Sequence, residues 1–117
     1  ALAIQKEKLG PRDHWRMANT LVSIGSVLDE QGKYEEAMEK YQQVMPIYEN
    51  EYGSDSVDVA TLLNNIAAVL KNQGKYEDAM EKLKCSLAIY EKVYGMNHSY
   101  TISTRDNIEI LKRKMQT

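Results

Sequence analysis

Few side chains in this 117-residue chain could do chemistry. It holds two histidines, His14 and His98, one cysteine, Cys85, and an Asn97-His98-Ser99 triplet with the form of a glycosylation acceptor. A zinc site needs three or four converging ligands, and two histidines far apart in sequence with no clustered partner do not supply them. A nucleophilic thiol needs a neighbouring base or cation, yet Cys85 has neither a Cys-x-x-Cys partner nor a nearby histidine. Gly-rich phosphate loops and any catalytic constellation are absent from the sequence. The expectation is a protein without catalytic residues, metal or cofactor. The polar side chains that remain are hydroxyls, amides and the charges of the helix faces. Asparagine presents a donor and an acceptor together, so it can hold a polypeptide backbone without demanding a particular side chain.

Composition narrows the partners of such amides. Charged residues make up 27% of the chain and apolar ones 43%, with 15 basic against 17 acidic residues and a formal charge of −2. That balance fits a globular domain and lacks the basic excess of a nucleic-acid or anionic-membrane binder. No apolar run reaches the ~18–20 residues that span a bilayer, so no membrane insertion is expected. The first residues, Ala1-Leu2-Ala3-Ile4-Gln5-Lys6, lack the charged-then-apolar order of a secretory signal, and the single cysteine allows no internal disulfide. The expected location is cytoplasmic. The chain reads as an excerpt from a longer protein, since it starts without Met inside a helical pattern.

A repeat positions the amides. Gln31-Gly32-Lys33-Tyr34-Glu35 returns as Gln73-Gly74-Lys75-Tyr76-Glu77, and aligning 31–72 with 73–114 gives 16 identities in 42 positions. The first thirty residues join the same frame with one residue inserted after Gly10. Within each repeat, apolar residues at Tyr34, Ala37, Met38, Tyr41, Val44, Met45, Tyr48 and Tyr52 follow one face of a 3.6-residue helix. Tyr76, Ala79, Met80, Leu83, Leu87, Tyr90 and Tyr94 repeat that face, with Ser86 its one polar entry. A preceding helix carries Leu21, Ile24, Val27 and Leu28, then Leu63, Ile66, Val69 and Leu70, and ends at Gly32 or Gly74. The pattern predicts six helices, at 1–9, 15–31, 34–52, 57–72, 76–94 and 100–115. Short connections make neighbours antiparallel, and pairs too small to bury their own apolar faces must stack. The fold class is therefore all-α, an α-solenoid of antiparallel helix pairs. Pro46 removes one bond within a long helix, which predicts a kink there with helix resuming to Tyr52.

These residues resemble tetratricopeptide repeats: an aliphatic-small pair (Ile24-Gly25, Ile66-Ala67), the turn glycine, an aromatic (Tyr34, Tyr76), a small alanine (Ala37, Ala79) and a large residue four on (Tyr41, Leu83). The period of 42 exceeds the usual ~34, and the elongated form is similar to the cargo-binding repeats of kinesin light chains. Nephrocystin-like and nucleotide-switch signalling proteins use the same elongated repeat. The resemblance implies a right-handed superhelix divided into the second helix of a truncated repeat with its loop (1–13), repeats at 14–55 and 56–97, and a C-terminal capping helix (98–117). Arg105, Glu109 and Lys112 replace Leu63, Ala67 and Leu70 of the preceding repeat, which suits a cap, while the unpartnered first helix points to repeats upstream.

In the family the first helix of each pair lines a concave groove. Carried onto this chain, groove positions are Asn19, Val22, Ser23 and Ser26, then Thr61, Asn64, Asn65, Ala68 and Lys71, then Ser103, Asp106, Asn107 and Ile110. Small neighbours leave room for a ligand's side chains, and Lys71 would attract an acidic one. The groove lacks the Lys and Arg set by which some relatives clamp a chaperone's C-terminal carboxylate. The histidines fall where related repeats place a helix-entry cap. The implied function is a protein–protein interaction module that binds a peptide or protein segment, with end-to-end self-association through the truncated first helix as a further expectation. The alternative is a structural or regulatory sensor array within a nucleotide-switch signalling protein.

Overall fold

The computed structural model describes residues 11–116, with side chains from Arg16 onward. These form five α-helices and no strand: α1 (Pro11–Glu30), α2 (Tyr34–Tyr52), α3 (Val57–Asn72), α4 (Tyr76–Tyr94) and α5 (Ser99–Gln116). The helix expected at 1–9 lies outside the described residues. The helix expected from 15 begins four residues earlier, at Pro11. Proline is favoured at a first helical position, where its missing N–H leaves no extra bond unmade and its fixed φ already suits the helix. Each helix packs on its neighbours in sequence, and α1 also touches α3. Joined by turns of only a few residues, neighbouring helices run antiparallel.

The turns repeat as the sequence does. Gly32 and Gly74 both adopt φ of 79°, a conformation that favours glycine. At the first, the Gly32 and Lys33 amides donate to the Asp29 and Leu28 carbonyls at 3.0 and 2.8 Å. At the second, Gly74 and Lys75 donate to Lys71 and Leu70 at 2.9 and 2.8 Å. Both are Schellman motifs, which satisfy carbonyls that a helix end leaves open. At the other ends of the pairs, Ser56 Oγ accepts from the Val59 amide at 3.2 Å. One repeat later His98 Nδ1 accepts from the Tyr100 amide at 3.1 Å, and the His98 ring stacks on Tyr94 with centroids 4.0 Å apart. His98 therefore serves as a helix-entry cap and as loop packing, as its position implied.

The core runs along the stack, through Ala18, Ala37, Tyr41, Val44, Val59, Leu62, Ile66, Val69, Ala79, Leu83, Tyr90, Ile108 and Leu111. The hydroxyls of its three buried polar residues, Ser86, Thr101 and Thr104, are paired. Ser86, the polar entry in the apolar stripe, is fully buried and donates to the Ala60 carbonyl at 2.9 Å. Thr101 and Thr104 donate to the Gly95 and Tyr100 carbonyls, both at 2.8 Å.

One expectation about the core fails at α1. Met17, Ile24 and Val27 are 43%, 40% and 51% exposed, whereas their repeat counterparts Val59, Ile66 and Val69 are at most 5% exposed. The counterparts on α3 are covered by α2, and no described helix lies over this side of α1. Leu21 and Leu28, on the side of α1 facing the core, do pack against it. At the other end of the stack Glu109 and Lys112 stay exposed and form an ion pair at 3.5 Å.

The two repeats solve the same crossing differently. A Cβ built on buried Gly25 would lie 2.6 Å from Tyr41 Cε1, and Tyr41 is itself fully buried and cannot retreat. The Tyr41 hydroxyl meets Ser26 Oγ at 3.1 Å. One repeat on, the three positions read Ala67, Ala68 and Leu83: a smaller partner admits a methyl group, and no hydroxyl is left to satisfy. Gly25→Ala is expected to lower stability by about 1–2 kcal/mol, overpacking outweighing the gain in helix propensity. Replacing all three with the second repeat's residues (Gly25→Ala, Ser26→Ala, Tyr41→Leu) should recover most of that loss in thermal unfolding.

α2 continues through Pro46 to Tyr52. Pro46 and Gln42 both lie on the exposed side, so the carbonyl deprived of its N–H partner opens toward solvent. Pro46→Ala, which installs the residue found at the equivalent position Ala88, should raise the melting temperature, corresponding to about 1–3 kcal/mol.

Candidate functional site

The first helices of the pairs, α1, α3 and α5, share one face of the molecule, and two clefts open on it. The α1–α3 cleft, about 250 Å³, is lined by Asn19, Val22, Tyr48, Asp58, Thr61, Leu62 and Asn65. The α3–α5 cleft, about 100 Å³, is lined by Asn64, Ala67, Ala68, Lys71, Leu83, Asn107, Ile110 and Leu111. On α3 the spacing explains the division. Asp58, Thr61 and Asn65 fall on the strip of the helix facing α1, and Asn64, Ala68 and Lys71 on the strip facing α5.

The candidate residues divide by what holds them. Asn19 Oδ1 accepts from the Tyr48 hydroxyl at 2.9 Å, and Ser26 is engaged with Tyr41. Asn64 Nδ2 donates to Thr104 Oγ1 at 3.3 Å, while its Oδ1 is buried at the cleft without a hydrogen-bond partner. Asn65, half-buried, and Asn107, exposed, make no hydrogen bond to another described residue. Ser23 is exposed and lines neither cleft. Asp106 lies apart from both, in a cleft with Lys84, Arg105 and Lys112 between α4 and α5. The structure thus gathers Asn64, Ala68, Lys71 and Asn107 at one cleft and Asn19 and Asn65 at the other.

Tyr48 and Asp58 line the first cleft without having been singled out from the sequence. A signal for Tyr48 was present. Asn19 with Tyr48 and Thr61 with Tyr90 are the same two positions one repeat apart, and Thr61 Oγ1 meets the Tyr90 hydroxyl at 2.7 Å. A tyrosine retained opposite a polar residue in both repeats marks a hydroxyl that reaches the face rather than a ring that only fills the core.

The electrostatics of the face follow from these tyrosines. Burial pushes the Tyr48, Tyr41 and Tyr90 phenols above the ordinary value of 10.0. For Tyr48 the Asp58 carboxylate adds to the effect. Ser26 offsets part of it at Tyr41, and Thr61 and Asn64 do so at Tyr90. Asp58 also raises Tyr52, after desolvation. Lys71 and Asp58 are both half-buried and neither takes part in an ion pair with a described residue.

Among the described residues no three His, Cys, Asp or Glu side chains are grouped to hold a metal, and no helix is long and apolar enough to cross a membrane. Cys85 is exposed.

A phenol kept neutral in the fold ionises more readily once the chain unfolds. Its contribution is complete below 10.0 and is lost as pH rises through the folded value. The melting temperature is therefore expected to fall as pH climbs past 10.0, and to fall less steeply in Tyr48→Phe/Tyr90→Phe, measured by circular dichroism.

The family model described as Tetratricopeptide repeat matches residues 16–92 and 58–116. No curated protein sequence matches the chain. Among solved structures, the crystal structure of BtubC (BKLC) from P. vanneervenii is similar, with a TM-score of 0.79 and 22% sequence identity over 92% of this chain. The matched part is 41% of the length of that protein, so the likeness is one of fold over less than half of it.

Proposed function

The chain belongs to the tetratricopeptide repeat family, and from that premise we propose that it is a non-enzymatic interaction module holding an extended segment of a partner protein on the face of α1, α3 and α5. Repeats of this family generally mediate protein–protein interaction. The observation that carries the reading is the state of the amides. Asn65 and Asn107 stand at two neighbouring clefts with no hydrogen-bond partner among the described residues. Asn65 and Asn107 keep amide surface open to the N–H and C=O groups of a ligand's backbone, each such hydrogen bond contributing about 0.5–1.5 kcal/mol. In this reading the pairs continue as a right-handed α-solenoid, with the chain divided at 1–13, 14–55, 56–97 and 98–117, a sixth helix over 1–9, and the clefts on the concave side. The period of 42 residues supports kinship with cargo-binding adaptors of the kinesin light chain type.

The side of α1 that no described helix covers favours a second contact. Met17, Ile24 and Val27 form an apolar strip whose counterparts on α3 receive α2, so the strip is suited to a further helix, either the one expected at 1–9 or, where that helix is displaced, one from a second copy of the chain. Sedimentation of the wild type against Ile24→Asp/Val27→Asp checks it, with concentration-dependent mass expected only for the former.

Peptide-array screening tests the main reading. The wild type should retain a set of peptides, and Asn65→Ala/Asn107→Ala should bind them about ten-fold more weakly, the effect of losing hydrogen bonds worth roughly 1.4 kcal/mol in total. Unchanged binding by the double variant would show that the ligand lies elsewhere.

A further inference from the structure

The face that holds the partner carries two isolated charges of opposite sign. Asp58 stands in the α1–α3 cleft and Lys71 in the α3–α5 cleft, both half-buried. Partly buried charges are normally compensated by a neighbour, because desolvation disfavours the ionised form. Among the described residues neither has an ion-pair partner; the dipole of α3 favours each sign where it stands, Asp58 in the first turn and Lys71 in the last, and leaves both carboxylate and ammonium free to pair with a ligand. Arg16, one repeat before Asp58, forms no ion pair with it. Asp29, one repeat before Lys71, is engaged by Asn72 Nδ2 at 3.0 Å instead. The two charges lie 13 positions apart on α3, about 20 Å along the helix axis. An extended chain covers that distance in about six residues.

We propose that the partner segment is bipolar: an extended peptide that sets a basic side chain at Asp58 and an acidic one at Lys71, about six residues apart. This rests on the groove reading above and specifies what the groove selects. The surroundings of each charge suit the assignment. Tyr52 is 42% exposed and near enough to Asp58 for the carboxylate to act on its phenol, so a guanidinium or ammonium seated on that carboxylate would have an aromatic neighbour. Around Lys71 the donors and acceptors of Asn64 and Asn107 leave room for a carboxylate beside the held backbone. The two charges together also fix direction, since a peptide entering the other way would meet like charge at both ends. A groove read only for its cations would be expected to take acidic segments alone; Asp58 adds a position that rejects them.

The test is selection from a random twelve-residue peptide library displayed on phage, run on the wild type, Asp58→Lys, Lys71→Glu and the double variant with the charges exchanged. Circular dichroism confirms the fold of each, and Asp58→Asn serves as a milder variant. Wild-type peptides should carry a basic and an acidic residue about six positions apart and lose ten-fold or more in affinity on Asp58→Lys. The exchanged variant should select the opposite order. Peptides weakened by Asn65→Ala/Asn107→Ala but indifferent to Asp58→Lys would leave the groove standing and overturn the bipolar partner. Peptides selected for acidic residues alone would overturn it too. No selected peptide at all would instead remove the groove reading on which it rests.

Discussion

At the crossing of α1 and α2, Gly25 stands where any side chain would come within 2.6 Å of the Tyr41 ring, and that close approach sets the spacing of the pair. A helix backbone resting directly on an aromatic ring leaves no freedom to slide. With the spacing set, the Tyr41 and Tyr48 hydroxyls reach across to Ser26 and Asn19, and the first helix is held at a fixed rotation about its axis. The face that α1, α3 and α5 share depends on that rotation, because turning either first helix would carry the amides out of the clefts. The second pair reaches the same result with Ala67 and Leu83, which shows the constraint to be one of combined volume rather than of residue identity.

Much of this was legible in the sequence, and for a definite reason. The period duplicates every signal, so α2, α3 and α4 appear within the bounds that their stripes and turn glycines imply. What escaped depends on things that periodicity does not carry. The start at Pro11 is a local matter of one residue's φ, at the point where the repeat frame gains a residue. The exposure of Ile24 and Val27 is invisible to a pattern that marks them as apolar, because burial needs a covering partner and composition shows only the suitability for one. The engagement of Asn19 and Ser26 with tyrosines required knowing where a ring on the second helix ends. Asp106 follows the same logic as Ile24: its counterpart Asn64 lines a cleft because another first helix lies beside it, and no described helix lies beside α5 there.

The internal hydrogen bonds also sort the amides of the face into two kinds. Asn19 and one end of Asn64 are occupied in holding the fold, and replacing either would disturb packing together with any recognition. Asn65 and Asn107 make no such bond to a described residue. Likeness to BtubC at 22% identity establishes the arrangement of helices, whereas the discrimination among partners resides in side chains that such a likeness does not fix.

Among the described helices, α3 alone packs against three others, α1, α2 and α4. In a stack whose parts touch only their neighbours, opening proceeds from the ends, so a central helix exchanges its amide protons last. Asp58, Asn64, Asn65, Ala68 and Lys71 all ride on that helix. The side chains with most to say about a partner are thus mounted on the part of the chain that yields last to fraying. The spacing between the two charges is set by one helix held from three sides, not by the packing of one helix on another.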